Sequence, residues 1–152
     1  MSPLHRCQSS KGGVNVAEQI LSRCPEIIDD YDHLKKTALC TACEKRNVKM
    51  VEFLLEKNAQ PNVRGPWGRT PLRMAIDAVA TDGSTRSKKA SIVVILLYHR
   101  ADPWIQDGDG RTPFSAVCNA GFVGDQIIKR LERTQMRWLS SRSTASRAYG
   151  SS

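Results

Sequence analysis

Two cysteines three residues apart, Cys40 and Cys43, form a C-x-x-C motif that could ligate zinc or act as a redox dithiol. A structural zinc site needs four ligands, and neither a second C-x-x-C motif nor a histidine pair lies at a usual spacing from the first. A redox dithiol is typical of a strand-to-helix junction, which the neighbouring residues do not predict. We therefore interpret both cysteines as small side chains packed on a helix, and we expect no metal site.

The run Asp107-Gly108-Asp109-Gly110 is the second candidate, because it resembles the first residues of a calcium-binding loop. That loop needs a bidentate glutamate at its twelfth position, and the twelfth residue counted from Asp107 is Cys118. Aspartate and glycine are also the residues that reverse turns favour. We interpret the run as a turn and not as a calcium site.

The histidines offer no catalytic arrangement either. His5, His33 and His99 are far apart in the chain, and no serine or cysteine nucleophile has a visible base beside it. The glycine-containing turns match neither the phosphate-binding loop G-x-x-x-x-G-K-[ST] nor the dinucleotide motif G-x-G-x-x-G. We therefore expect no catalytic residues, no cofactor and no enzymatic activity.

A tetrapeptide that recurs along the chain is a stronger signal than any of these motifs. The copies are Ser2-Pro3-Leu4-His5, Thr37-Ala38-Leu39-Cys40, Thr70-Pro71-Leu72-Arg73 and Thr112-Pro113-Phe114-Ser115. Their first residues are 35, 33 and 42 positions apart. A spacing near 33 residues predicts a repeat protein in which each copy begins one structural unit.

Each copy has the composition of a helix start, since Thr or Ser can cap the first turn and proline suits the first helical position. A second apolar stripe follows two of the copies, at residues 50–55 and 92–97, and predicts a second amphipathic helix. Asn58 is placed to end one of these helices in a left-handed conformation. Turn formers such as Gly65-Pro66-Trp67-Gly68 precede the copies. The predicted unit is turn, helix, loop, helix.

This unit, with its T-P-L-H-like start, resembles the ankyrin repeat. The resemblance implies an all-α fold, an ankyrin-repeat solenoid of about four helix-turn-helix repeats with short β-hairpin-like turns. It also implies that the turns project as fingers, that the first helix of each repeat lines a concave groove, and that a partner protein binds to this face.

We expect an ankyrin-repeat domain over residues 1–139 and a disordered basic Ser/Arg tail over residues 140–152. The first repeat is truncated, because it lacks its leading turn; it is either an unusual cap or a piece of a longer array. Its second helix should bury Val16, Ile20 and Leu21. The third repeat carries a polar loop insertion at about residues 80–90.

The formal net charge is +8, and the residues from 129 onward contribute +5 of it. The charge therefore gives no strong evidence that the repeats themselves bind nucleic acid. No apolar run approaches the roughly 20 residues of a membrane span, and the first residues do not resemble a secretory signal. Five cysteines, an odd number, favour free thiols in a reducing compartment, and we expect the cytoplasm or the nucleus.

The resemblance implies partner-binding residues on the fingers and at the entrance of each first helix. The candidates are Tyr31, Leu34, Lys36, Arg64, Trp67, Arg69, Met74, Asp109 and Arg111. Trp67 is the strongest, because Trp, Tyr and Arg dominate interface hot spots. The alternative interpretation is that its ring folds back against the neighbouring finger, as Trp tends to bury most of its surface.

Lys36, Arg69 and Arg111 hold equivalent places in consecutive repeats. Stacked at the roughly 10 Å spacing of packed helices, they would form a basic ladder, which favours a partner protein with an acidic surface. We expect a monomeric, non-catalytic protein–protein interaction module, with nucleic acid a less favoured partner. The alternative hypothesis is that the basic tail binds nucleic acid or an anionic membrane.

Overall fold

The computed structural model describes residues 3–7, 12–81 and 86–120, together with residues 129, 132 and 133. Seven α-helices lie in this part of the chain, which contains no β-strand, so the predicted all-α fold is confirmed. The helices are α1 (Pro3–Arg6), α2 (Gly13–Arg23), α3 (Ala38–Glu44), α4 (Val48–Glu56), α5 (Pro71–Ala80), α6 (Arg86–Tyr98) and α7 (Pro113–Ala120). Two 3-10 helices accompany them, at Pro25–Asp29 and Pro66–Gly68.

The helices form consecutive antiparallel pairs. We call α1 and α2 repeat 1, α3 and α4 repeat 2, and α5 and α6 repeat 3, while α7 begins repeat 4. Helix α3 packs both against α4 in its own repeat and against α5 in the next, and α5 packs against α6 and α7 in the same way. The first helices thus form one continuous layer, as expected of a solenoid.

The recurring threonine begins α3, α5 and α7, as the sequence predicts. The side chains of Thr37, Thr70 and Thr112 each accept a hydrogen bond from the backbone N–H three residues later, at 3.1–3.4 Å. Such a cap satisfies one of the unpaired donors of the first helical turn and stabilises it by about 1 kcal/mol.

A left-handed residue ends several helices. Arg46, Asn58 and Arg100 follow α3, α4 and α6 and have φ angles of 58°, 66° and 67°. The next residue donates its N–H to a carbonyl group in the last turn, for example Ala59 to Leu54 at 2.9 Å. The left-handed conformation predicted for Asn58 is therefore confirmed, and two arginines adopt it as well.

The core runs through the repeats as a band of aliphatic side chains. Leu39, Leu54, Leu72 and Leu96 are completely buried. In repeat 1 the prediction for Val16 is wrong, since this side chain is 45% exposed. The face of α2 that packs inward instead carries Gly13, Ala17 and Leu21, which follow one another at the four-residue spacing of a helix face.

The insertion predicted in repeat 3 falls between α5 and α6. Helix α5 continues to Ala80 and α6 already begins at Arg86, so both are longer than α3 and α4 in repeat 2. Arg, Lys and Ala, which supply most of residues 86–90, are good helix formers. Only residues 82–85 of the expected loop lie outside the described part of the chain.

Repeat 4 is described through α7. Val117 is buried, whereas Cys118 is exposed. Residues 121–128 and the expected Ser/Arg tail at 140–152 lie outside the described residues.

Candidate functional site

Three turns with one shared geometry precede α3, α5 and α7. We call them finger 1 (32–36), finger 2 (65–69) and finger 3 (107–111). In each, the N–H of the first residue donates to the carbonyl of the fifth at 2.8–2.9 Å, and the N–H of the fourth donates to the carbonyl of the first. The fourth residues, Lys35, Gly68 and Gly110, all have positive φ. This is the geometry of a three-residue hairpin loop, although no strands flank it.

An aspartate begins finger 1 and finger 3. One carboxylate oxygen of Asp32 accepts the N–H groups of Leu34 and Lys36 at 2.8 and 2.9 Å, and Asp107 does the same in finger 3. Burial alone would raise the pKa of each carboxyl group, but these backbone hydrogen bonds and nearby basic side chains hold both pKa values below their usual range. Both fingers are therefore held by a charged acceptor.

Finger 2 has Gly65 in place of that aspartate, and its third residue is the predicted anchor Trp67. Trp67 has a φ of 54°, a left-handed conformation that is rare for a bulky residue. Its carbonyl oxygen accepts the N–H of Gly108 in finger 3 at 2.7 Å. The ring is 73% exposed, and the guanidinium of Arg69 lies 5.4 Å from its centroid. The backbone of Trp67 therefore contacts the neighbouring finger, while the ring does not fold back onto it.

In the first three tetrapeptides, the fourth residue reaches the next finger along the stack. His5 Nε2 donates to the carbonyl of Lys36 at 2.9 Å. Cys40 Sγ lies against Gly65, where an added methyl group would come within 3.3 Å of it. Arg73 pairs with Asp107 at 3.2 Å. These contacts connect each first helix to the finger of the following repeat.

Sequence reasoning missed Arg73, Asp77 and Asp107, which form one buried or half-buried charge network. Arg73 Nε donates to both carboxylate oxygens of Asp77 at 3.0 and 3.2 Å while its other end reaches Asp107. Two signals could have indicated the network: Arg73 and Asp77 stand four residues apart on a helix, and Arg73 and Asp107 are about one repeat apart.

Two members of the predicted basic ladder are already paired within the chain. Lys36 Nζ lies 2.6 Å from Glu44 Oε2, and Arg69 lies 3.5 Å from Asp77. Both basic residues are largely buried along their stems, with side-chain exposures of 16% and 32%. Their charges are therefore partly neutralised before any partner arrives.

A cleft of about 240 Å³ lies between repeats 2 and 3. Its lining residues come from the end of finger 1, the tip of finger 2 and the facing sides of α3 and α5: Lys36, Glu44, Arg46, Trp67, Arg69, Met74, Asp77, Ala78 and Thr81. Four predicted site residues, Lys36, Trp67, Arg69 and Met74, meet there. The apolar part is supplied by Trp67, Met74 and Ala78, and two ion pairs surround it.

The other five predicted residues lie outside this cleft, and all are exposed. Tyr31 and Leu34 are 53% and 52% exposed at finger 1. Arg64 directly precedes finger 2, and Asp109 and Arg111 belong to finger 3. They therefore extend a surface along the fingers instead of enclosing one site.

The C-x-x-C motif is part of the core. Cys40 and Cys43 are completely buried free thiols, and burial raises the pKa of both. A thiol with a raised pKa is a weak nucleophile and a weak metal ligand. Within the described residues, no group of three His, Cys, Asp or Glu side chains is arranged to hold a metal ion. No helix among these residues is long and apolar enough to cross a membrane.

Comparison with known families gives the same repeat pattern. Residues 4–85, more than half of the chain, match a family model described as ankyrin repeats in three copies. The chain belongs to the ankyrin-repeat family. The predicted ankyrin resemblance and solenoid fold are thereby confirmed. Ankyrin repeats are in general protein–protein interaction modules.

The curated proteins that share this repeat segment are otherwise different kinds of protein. Over 79 residues, 51% of this chain, it is 39% identical to the 2-5A-dependent ribonuclease of Mus musculus. Over 85 residues, 55% of this chain, it is 38% identical to the putative ankyrin repeat protein YahD of Escherichia coli K12. Over 112 residues, 72% of this chain, it is 26% identical to the human transient receptor potential cation channel subfamily A member 1.

The aligned ankyrin segments are minor parts of those relatives. They span 10% of the ribonuclease, 40% of YahD and 9% of the channel. The similarity to the ribonuclease therefore concerns about a tenth of that protein and gives no evidence of catalysis in this chain.

Proposed function

We propose that this ankyrin-repeat chain is a non-catalytic protein–protein interaction module, and that its partner binds the concave finger-and-groove face at the cleft between repeats 2 and 3. Trp67 is the apolar anchor of this interface. Lys36, Arg69 and Met74 form the surrounding wall, while Tyr31, Leu34, Arg64, Asp109 and Arg111 extend the contact along the fingers. No cofactor takes part.

The observation that supports this proposal best is the state of Trp67. Its ring is 73% exposed at the rim of a cleft, although Trp usually buries most of its surface. Its backbone is left-handed, which costs about 1–2 kcal/mol relative to an ordinary conformation. A costly backbone that presents a large apolar ring to solvent is typical of a binding hot spot.

The partner that we propose is a protein with an acidic surface, bound by a monomer in the cytoplasm or nucleus. The cysteines support a reducing compartment, because all five are free and the adjacent Cys40 and Cys43 are buried unpaired thiols. The competing hypothesis, in which the basic tail binds nucleic acid or an anionic membrane, concerns residues 140–152 and is separated from the first by the same experiment.

The experiment compares two exposed aromatic residues. Purified wild type, Trp67→Ala and Tyr98→Ala are used as matched baits in extract of the source cell, and captured proteins are quantified by mass spectrometry. Tyr98 is 83% exposed on α6 and does not line the cleft, so it controls for non-specific aromatic contacts. The specific partner should bind wild type and Tyr98→Ala equally, and the affinity of Trp67→Ala for the purified partner should fall by about 2 kcal/mol or more.

Two results would contradict the proposal. Equal capture by all three baits would show that Trp67 is not an anchor. Binding that survives Trp67→Ala, is lost on deletion of residues 140–152, and falls steeply with added salt would identify the tail as the site.

A further inference from the structure

One ion pair recurs at the same place in two consecutive repeats. The basic residue directly before the N-cap threonine pairs with an acid eight positions later, as Lys36 with Glu44 and Arg69 with Asp77. The acid lies near the end of the first helix, so each pair closes along the side of that helix. The equivalent residues in repeat 4 are Arg111 and Asn119.

Asn119 breaks this pattern, because an amide carries no charge. Arg111 and Asn119 are both exposed, and within the described residues no carboxylate lies within ion-pair distance of the Arg111 guanidinium. Asp109 is exposed in the same finger, but its backbone N–H is held by Asp107 and no contact joins it to Arg111. Repeat 4 therefore presents a cation in the place where repeats 2 and 3 present a neutralised pair.

This difference decides which residue a partner carboxylate gains most by contacting. A carboxylate that binds Lys36 must displace Glu44 from a 2.6 Å contact, so one charge interaction replaces another. A carboxylate that binds Arg69 must compete with Asp77 and disturb the cation–π contact with Trp67. Within the described residues, Arg111 has no such contact to lose, and its guanidinium can bind a carboxylate through two hydrogen bonds.

We propose that Arg111 is the residue that binds the acidic side chain of the partner, and that Lys36 and Arg69 serve mainly to build the cleft. This inference rests on the proposed function, because it places a charge contact beside the Trp67 anchor. It also orients the partner: the apolar side chain lies at finger 2 and the carboxylate lies at finger 3. Adjacent repeats stack roughly 10 Å apart, which an extended peptide crosses in about three residues. The fitting partner segment therefore has an Asp or Glu about three positions from a large apolar residue.

The geometry is tested first without a partner. Asn119→Asp should complete the third ion pair, and the pKa of the introduced carboxyl group, followed by NMR, should lie below the usual value of about 3.9. In the double variant with Arg111→Gln that pKa should return to the usual value. A carboxyl group whose pKa is normal and indifferent to Arg111→Gln would show that the two positions do not face each other, and would overturn the proposal.

The binding chemistry is tested with a phage-displayed library of random short peptides, selected on wild type, Arg111→Gln, Asn119→Asp and Lys36→Gln. Peptides selected on wild type and on Lys36→Gln should be enriched in Asp or Glu about three positions from an apolar residue. That enrichment should disappear on Arg111→Gln and on Asn119→Asp. Individual peptides should lose affinity by about tenfold on either of these variants, as expected of a charge pair at an interface rim, and much less on Lys36→Gln.

The outcomes separate this inference from the proposed function. Each selected peptide is also measured on Trp67→Ala. Peptides that lose affinity on Trp67→Ala but show no acidic preference, or that keep this preference on Arg111→Gln, would overturn the role of Arg111 and leave the cleft as the interface. A library that yields no peptide dependent on Trp67 would contradict the proposed function and this inference together. Arg23→Gln is the matched charge control: this exposed cation lies on α2, outside the cleft and the fingers, so its removal should leave the affinity for acidic peptides unchanged. A loss as large as that on Arg111→Gln would show that binding depends on net charge alone.

Discussion

The three fingers share one backbone geometry, but the two junctions between them are stabilised by different interactions. Between fingers 1 and 2, the small neutral side chain of Cys40 packs against Gly65. Between fingers 2 and 3, Arg73 pairs with the buried carboxylate of Asp107, and the carbonyl of Trp67 accepts the N–H of Gly108 at 2.7 Å. The first junction relies on packing, whereas the second adds charge and a direct backbone hydrogen bond.

The three fingers share one turn geometry, but only the tip of finger 2 presents a large apolar ring. Finger 1 and finger 3 are each held by an aspartate side chain, and their tips carry Leu34 and Asp109 in ordinary turns. Finger 2 has no such aspartate, and its tip is held by the hydrogen bond that the Trp67 carbonyl accepts from the Gly108 N–H of finger 3. Finger 2 is thus held by a backbone contact with finger 3, and the Trp67 ring takes no part in that contact and stays exposed beside the cleft.

The largest expected effect on the free energy of unfolding comes from removing the Arg73–Asp107 ion pair. Arg73→Met leaves the carboxylate of Asp107 buried without its partner, and should destabilise the chain by about 3 kcal/mol in urea unfolding. Cys40→Ala at the other junction only removes a sulfur atom and should cost about 1 kcal/mol. Asp107→Asn in the Arg73→Met background should recover part of the loss. Equal costs at the two junctions would show that the charge pair is not what distinguishes them.

A smaller loss of stability is expected from adding a methyl group at Gly108, where the backbones of fingers 2 and 3 approach closely. A methyl group added to Gly108 would meet the carbonyl oxygen of Trp67 at 3.0 Å, so Gly108→Ala should cost about 1–3 kcal/mol. Gly12→Ala is the matched control, because nothing lies within 4 Å of the added group there. Thermal unfolding measures both. A Gly108→Ala melting temperature no lower than that of the control would contradict the contact between the fingers.

The pH dependence of stability should also distinguish the fingers. The pKa values of Asp32 and Asp107 are lowered in the folded state, so the unfolded chain binds protons more readily than the folded one. Their contribution is therefore present above the unfolded value of about 3.9 and is lost as the pH falls through the folded pKa values. Asp107→Asn should flatten the acid limb of a plot of unfolding free energy against pH. An unchanged slope would mean that this carboxyl group is not perturbed.

The smallest effect on stability is expected from replacing Trp67, the proposed apolar anchor. Trp67→Gly removes a largely exposed ring and relieves a left-handed backbone, so the unfolding free energy should stay unchanged or rise by up to about 1 kcal/mol. Binding of the partner should nevertheless be lost. A substantial drop in stability would show that the ring contributes to the fold, and would remove the argument that its exposure serves binding.

The sequence predicted the helix starts, the helix ends and the helix-turn-helix unit, because these depend on neighbouring residues. A threonine caps a turn three residues away, as Thr70 does, and a left-handed Asn58 satisfies carbonyl groups of the helix that it ends. The apolar stripe that contains Leu54 was evident from its period for the same reason. The prediction for Val16 is wrong because the small residues Gly13 and Ala17, which give little apolar signal, form the packing face of α2 together with Leu21.

Only the tertiary structure decided which charges meet and which rings remain exposed. The pairing of Arg73 with Asp107, of Lys36 with Glu44 and of Arg69 with Asp77 depends on how side chains are directed along and between stacked repeats. The charge of a residue is visible in the sequence, but its partner is set by the stacking of the repeats and by its rotamer. The equivalent positions of Lys36, Arg69 and Arg111 predicted a basic ladder. In the structure, ion pairs within repeats 2 and 3 partly neutralise the first two, and Arg111 is unpaired within the described residues, since Asn119 carries no charge to meet it.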